Sequence, residues 1–208
     1  MQLMSSSFGH KQRIPAEFAF GAPDPAAHVR LSKNRNPHLR WTGVPSTAKS
    51  LVLLCVDTDV PTRPDDVNQE GRIVPADLPR TEFYHWVMVD IAPSVSEIKA
   101  GACADGIVAR GKRTPTGPAG SRQGLNDYTS WFASDPEMGG QYFGYDGPCP
   151  PWNDSLLHHY HFILCAIDLA HCPVSGDFTG PAVRAAIANH ILAEAKLTGT
   201  YSLNPAVK

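Results

Sequence analysis

The stretch YDGPCPPWNDSLLHHYHFILCAID, residues 145–168, joins a proline-stiffened loop to an apolar strand headed by His158 and Tyr160. Strand alternation puts those two side chains on one face, a pleat apart. Beside them, the three prolines of Gly147-Pro148-Cys149-Pro150-Pro151 remove backbone donors and restrict φ. The Cys149 amide is left as an isolated N–H in a stiff setting. An imidazole, a phenol and a lone amide converging on one spot describe an anion receptor.

Working outward, two more segments read as strands of the same kind, Ser50 to Val56 (SLVLLCV) and Phe83 to Ile91 (FYHWVMVDI), and the opening stretch supplies His159 to Ile167. All three are apolar on both faces, so they are expected in the middle of a sheet covered on both sides. Weaker strands are expected at 28–32 and 38–41. Nineteen prolines and seventeen glycines interrupt the chain, and the periodic segments between them are mostly strand-like, which predicts a mainly β domain. One helix is predicted, Pro181 to Leu197, with Pro181 at its start, Gly199 past its end and a buried stripe of Val183, Ile187 and Ile191. The segments 65–81 and 109–140 are rich in Pro, Gly and charge and read as long loops, functional or mobile rather than filler.

At 208 residues and 42% apolar content, the chain is expected to form one domain with a real core. Its net charge of −2, with acids and bases interspersed, offers no basic face for nucleic acid. The five cysteines are odd in number and lack CxxC spacing, which suits reduced thiols in a cytoplasmic protein. The first residues carry no apolar core of a signal peptide, and no apolar run approaches a membrane span.

Further polar candidates flank the strands. Asp57 and Asp59, in VDTDVPT, end the first strong strand at i, i+2 and are expected on one side of it. His85 is expected to share a face with Phe83, Val87 and Val89 and not with Trp86. A carboxylate from Asp57 or Asp59 on one ring nitrogen would fix the tautomer and favour the imidazolium. His158, His159 and His161 invite a metal reading, but alternation separates His158 from the other two. The segment 106–114 matches GxxxxGK, yet Arg113 stands where a phosphate loop needs Ser or Thr, and Pro115 and Pro118 forbid the following helix. Asn153-Asp154-Ser155 reads as an idle glycosylation sequon. With no GxSxG elbow and Cys149 between prolines, no nucleophile is assigned and no cofactor is expected.

Three ordered motifs, LSKNRNPHLRWTGVPSTAKSLVLLCVDTDVPT, FYHWVMVDI and the opening stretch, together with the ending AAIANHILAEAKLTGTYS, resemble the phosphatidylethanolamine-binding protein family in its bacterial Raf-kinase-inhibitor-like branch. The resemblance implies an antiparallel β-sandwich with peripheral helices and a small pocket for phosphate or phosphorylated head groups. Its two motif acids fall on Asp57 and Asp59, its strand histidine on His85, its HRY-like motif on His158, His159 and Tyr160, and its pocket loop on Gly147 to Pro151. Asp57-Thr58-Asp59-Val60-Pro61 stands where the family has DPDAP, and His159 replaces an arginine. The resemblance also implies a cis Val60–Pro61 bond.

The resulting expectation is a non-catalytic binding protein whose ligand meets Asp57, Asp59, Pro61, His85, Gly147, Cys149, Pro150, Pro151, His158 and Tyr160, with His85 and His158 donating to ligand oxygens. The alternatives are an inhibitor of a protein kinase or protease acting through the same pocket and, more distantly, an Asp/His hydrolase. A homodimer is compatible with either.

Overall fold

A computed structural model describes residues 1–207. In chain order the strands are β1 (Gln2–Met4), β2 (Gln12–Arg13), β3 (Gly21–Asp24), β4 (His28–Leu31), β5 (Leu39–Thr42), β6 (Ser50–Pro61), β7 (Arg80–Ile91), β8 (Glu97–Ile98), β9 (Arg122–Gln123), β10 (His158–Ile167) and β11 (Ile191–Tyr201). The helices are α1 (Tyr128–Trp131) and α2 (Gly180–Ile187). A six-stranded sheet runs β2-β11-β10-β6-β7-β9, a three-stranded sheet β1-β5-β8, and β3 pairs with β4. Among the paired strands of the described residues, only the short β2–β11 contact is parallel.

The three strands read as apolar on both faces, β10, β6 and β7, do occupy the middle of the large sheet. Leu51, Leu53, Cys55, Trp86, Met88, Phe162 and Leu164 point to one side and meet Leu39, Trp41 and Ile98 of the smaller sheet. Val52, Leu54, Val56, Val87, Val89 and Ile163 point to the other, under Val183 and Ile187 of α2. The architecture is thus a β-sandwich with peripheral helices, each fully buried aliphatic side chain contributing about 1.5–3 kcal/mol.

The helix expected over 181–197 is corrected to half its length. Thr179 stands before α2 without a side-chain capping bond, Pro181 occupies its first turn, and Val183 and Ile187 are buried as anticipated. Ile191, the third member of the expected stripe, is 40% exposed and opens β11. From there β11 pairs with β10 from Ile167↔Ile191 to His158↔Tyr201. Ala195 and Leu197 turn inward while Glu194 and Lys196 face out, the period of two that a strand requires. Helix-forming residues yield here to a long ladder on a central strand. The Val60–Pro61 bond is also corrected, being trans. β6 continues through Pro61, with Val60 opposite Thr81 and Pro61 opposite Arg80, so no tight turn forms there.

Candidate functional site

A β-bulge on β7 places the strand histidine. Cys55 pairs with Trp86, but the next residue, Val56, pairs with Tyr84, leaving His85 extra. His85 and Trp86 therefore lie on the same side of the sheet, while Val87 and Val89 lie on the other. Simple alternation predicted the reverse, and the inserted residue is why it failed. A second irregularity, between Asp57 and Val60 of β6, separates the two motif acids. Asp57 turns inward, whereas Asp59 turns to the outer face and accepts hydrogen bonds from the His159 amide (2.8 Å) and Nδ1 (2.9 Å). The expectation that Asp57 and Asp59 share a side is thereby corrected. His159 and His161 lie outside with it, their rings stacked 6.4 Å apart.

At one end of the central strands β6, β7 and β10 lies a cavity of about 840 Å³. Asp57, Pro61, His85, Cys149, Pro150, Pro151, His158 and Tyr160 line it; Asp59 and Gly147 do not. Gly147 forms the wall behind, where its carbonyl accepts from Tyr128 Oη at 2.8 Å and its amide donates to Asn34 Oδ1 at 2.8 Å. A Cβ at Gly147 would collide with the Phe18 carbonyl, so only glycine lets the loop pass here. The Pro148 carbonyl accepts from the Phe20 and Gly21 amides, fixing the loop to β3. Much of the remaining wall is apolar, including Phe20, Val60, Phe83, Tyr128 and Phe132, with Leu31 and Trp131 exposed at the rim.

His158 is fully buried between two carboxylates. Its Nδ1–H donates to Asp57 Oδ2 at 2.7 Å and its Nε2–H to Asp154 Oδ2 at 3.1 Å. Both partners are acceptors, so the ring carries both protons. Burial opposes that charge, but the two carboxylates outweigh it and raise the pKa to about 9. Burial alone would likewise raise the Asp57 carboxyl, yet His158, His85 and the Asp59 amide together hold it below the ordinary range. Asp154 in turn receives a bidentate pair from Arg80 at 2.6 and 3.1 Å. Contrary to expectation, His158 thus has no N–H to spare for a ligand; it fixes Asp57.

His85 is the histidine with a free nitrogen. Its Nδ1–H donates to the Asp146 carbonyl at 2.8 Å, leaving Nε2 without a partner among the described residues. Burial lowers its pKa against the opposing charge of Asp57, so near neutral pH Nε2 carries a lone pair. The Tyr160 hydroxyl is buried beside the Asp57 carboxylate, without a well-formed hydrogen bond to any described residue, and burial together with that carboxylate keeps it protonated. The Cys149 amide also donates to no acceptor among the described residues. The Cys149 thiol, pushed by burial to about 12, is no thiolate.

Sequence reasoning missed Asp154, Arg80 and the aromatic wall of Tyr128 and Phe132. Asp154 had a visible signal, four residues before His158 in the opening stretch, but was read only as part of a sequon. Asn153, its neighbour, clamps the loop before β7, its side-chain amide donating to the Asp66, Gln69 and Arg72 carbonyls.

Comparison with known proteins places the chain in a family and supports its fold. A family model described as phosphatidylethanolamine-binding protein matches residues 4–202. A UPF0098 protein of Methanothermobacter thermautotrophicus is 29% identical over 97% of this chain and 98% of its own length. The Escherichia coli UPF0098 protein YbhB is 28% identical over 97% and 100%. Among solved structures, CT736 of Chlamydia trachomatis, named as a homologue of the same family, superposes with TM-score 0.64 at 27% identity, covering 97% of this chain and 96% of that one. YbcL of Escherichia coli shares the fold, with TM-score 0.66 at 24% identity and 97% of both chains covered. The chain belongs to the phosphatidylethanolamine-binding protein family.

Proposed function

We propose that the cavity binds, without catalysis, a small molecule with a phosphate or phosphorylated head group. The observation that carries this reading is the Tyr160 hydroxyl, buried at the cavity without a well-formed hydrogen bond among the described residues. Such a group costs about 1–3 kcal/mol unless something in the cavity accepts its proton. The Cys149 amide and His85 Nε2 join it as groups free to meet a ligand, and the apolar wall suits the remainder of a molecule larger than phosphate. The family's name for phosphatidylethanolamine points to the same ligand class. Titration with phosphate or phosphoethanolamine is expected to move the NMR signals of His85 and Tyr160; if millimolar ligand leaves both in place, the reading fails.

The exposed Leu31 and Trp131 at the rim favour a second reading, an inhibitor of a protein kinase or protease whose acidic group enters the cavity. A pull-down comparing wild type with His85→Ala tests it, since a cavity-independent contact survives that change.

A further inference from the structure

The charges around the cavity are unusual for a receptor of anions. Asp57, Glu82 and Asp127 line it, and among the described residues no lysine or arginine does. The one lining group with a settled positive charge, His158, has both N–H groups engaged by carboxylates. Facing His85 are Asp57 from β6, His158 and Tyr160 from β10, Asp146 and Cys149 from the loop before β10, and Tyr128 from α1. Lys112 approaches from behind but is held by Asp146 Oδ1 at 2.7 Å. The groups left for a ligand are therefore two acceptors, the Asp57 carboxylate and His85 Nε2, and two donors, the Tyr160 hydroxyl and the Cys149 amide.

A fully ionised oxyanion brings acceptors only. Bound here, it would satisfy Tyr160 and Cys149 but set its own oxygens against the Asp57 carboxylate in a poorly hydrated site, leaving buried acceptors unpaired. A phosphate that retains protons offers O–H groups to Asp57 and His85 and bare oxygens to Tyr160 and Cys149. Shifting one of those protons onto His85 leaves the same total in the complex.

Building on the ligand class proposed above, we infer that the cavity selects oxyacids that still carry a proton, orthophosphate or a phosphate monoester, over fully ionised anions such as sulfate. The preference lies with Asp57, which His158 and the Asp59 amide hold in place at 2.7 and 2.8 Å. Lower pH favours binding, because both the phosphate and His85 take up protons as pH falls.

Calorimetric titration with sodium phosphate and sodium sulfate, at matched ionic strength, tests the inference on the wild-type protein. Near pH 6.5, phosphate is expected to bind about tenfold tighter than sulfate or better, and to weaken about tenfold by about pH 8.5 as H₂PO₄⁻, with a proton for each of the two acceptors, gives way to HPO₄²⁻, with one proton for both. Sulfate binding as well as phosphate, or phosphate binding that does not weaken with rising pH, overturns the inference while leaving the anion-binding reading intact. If neither anion binds, both readings fall. Asp57→Asn supplies an amide donor to the ligand, so in a folded variant the gap between sulfate and phosphate should narrow; an unchanged gap also overturns the inference.

Discussion

Replacing His158 with asparagine tests whether the imidazolium between Asp57 and Asp154 secures the floor of the cavity. The folded ring titrates at about 9, against about 6.5 for an unfolded histidine. A group whose folded pKa is raised stabilises fully below its unfolded pKa, and that contribution is lost as pH rises through the folded value. With each unit worth about 1.4 kcal/mol, the wild type should lose roughly 2–3 kcal/mol of His158-dependent stability between about pH 7 and pH 10. Cysteines and tyrosines of the unfolded chain also titrate in that range, but they are common to both proteins and cancel in the difference. Near neutral pH the variant leaves Asp57 facing Asp154 without the cation between them, Arg80 still neutralising Asp154 alone, a loss of about 3–5 kcal/mol. Urea unfolding of both proteins across this range should show that deficit shrinking as pH rises. A deficit that stays flat, or a His158 ring that NMR finds neutral near pH 8, refutes the pairing.

Tyr160→Phe removes a hydroxyl without a well-formed hydrogen bond among the described residues, so unfolding stability should change by less than about 1 kcal/mol while phosphate affinity falls about tenfold; a large stability loss would show that the hydroxyl already has a partner inside the protein. Gly147→Ala forces a methyl group onto the Phe18 carbonyl and should cost about 1–3 kcal/mol, seen as a lower urea midpoint; wild-type stability would mean that the loop has room to move.

Much of the sandwich was legible because its three central strands are apolar on both faces, a pattern that survives without knowledge of their neighbours. The start of α2 was legible for a similar reason, since Pro181 acts locally. Its end was not, because the helix formers Ala193, Glu194, Ala195 and Lys196 follow a ladder with β10 that lies more than twenty residues away in sequence. Within the site, the pairing of His158 with Tyr160 followed from alternation on a regular strand. The orientations of His85 and Asp59 depend on single-residue irregularities in β7 and β6, and nothing in FYHWVMVDI or VDTDVPT marks which residue is extra. The role of His158 was misjudged because its second acceptor, Asp154, comes from the loop that precedes β10.

The extra residue on β7 also separates the cavity from the core in a way that bears on how the protein can vary. On either side of His85, Cys55 still meets Trp86 and Val56 still meets Tyr84, so the hydrogen-bonded ladder closes around the histidine instead of through it. His85 is supernumerary to the sheet. Its side chain can be exchanged for another without changing the parity of any residue beyond it, whereas adding or removing a residue elsewhere in the strand would turn Trp86 and Val87 to the wrong layers. The sandwich supplies a fixed frame, and the chemistry is carried at a position the frame does not count.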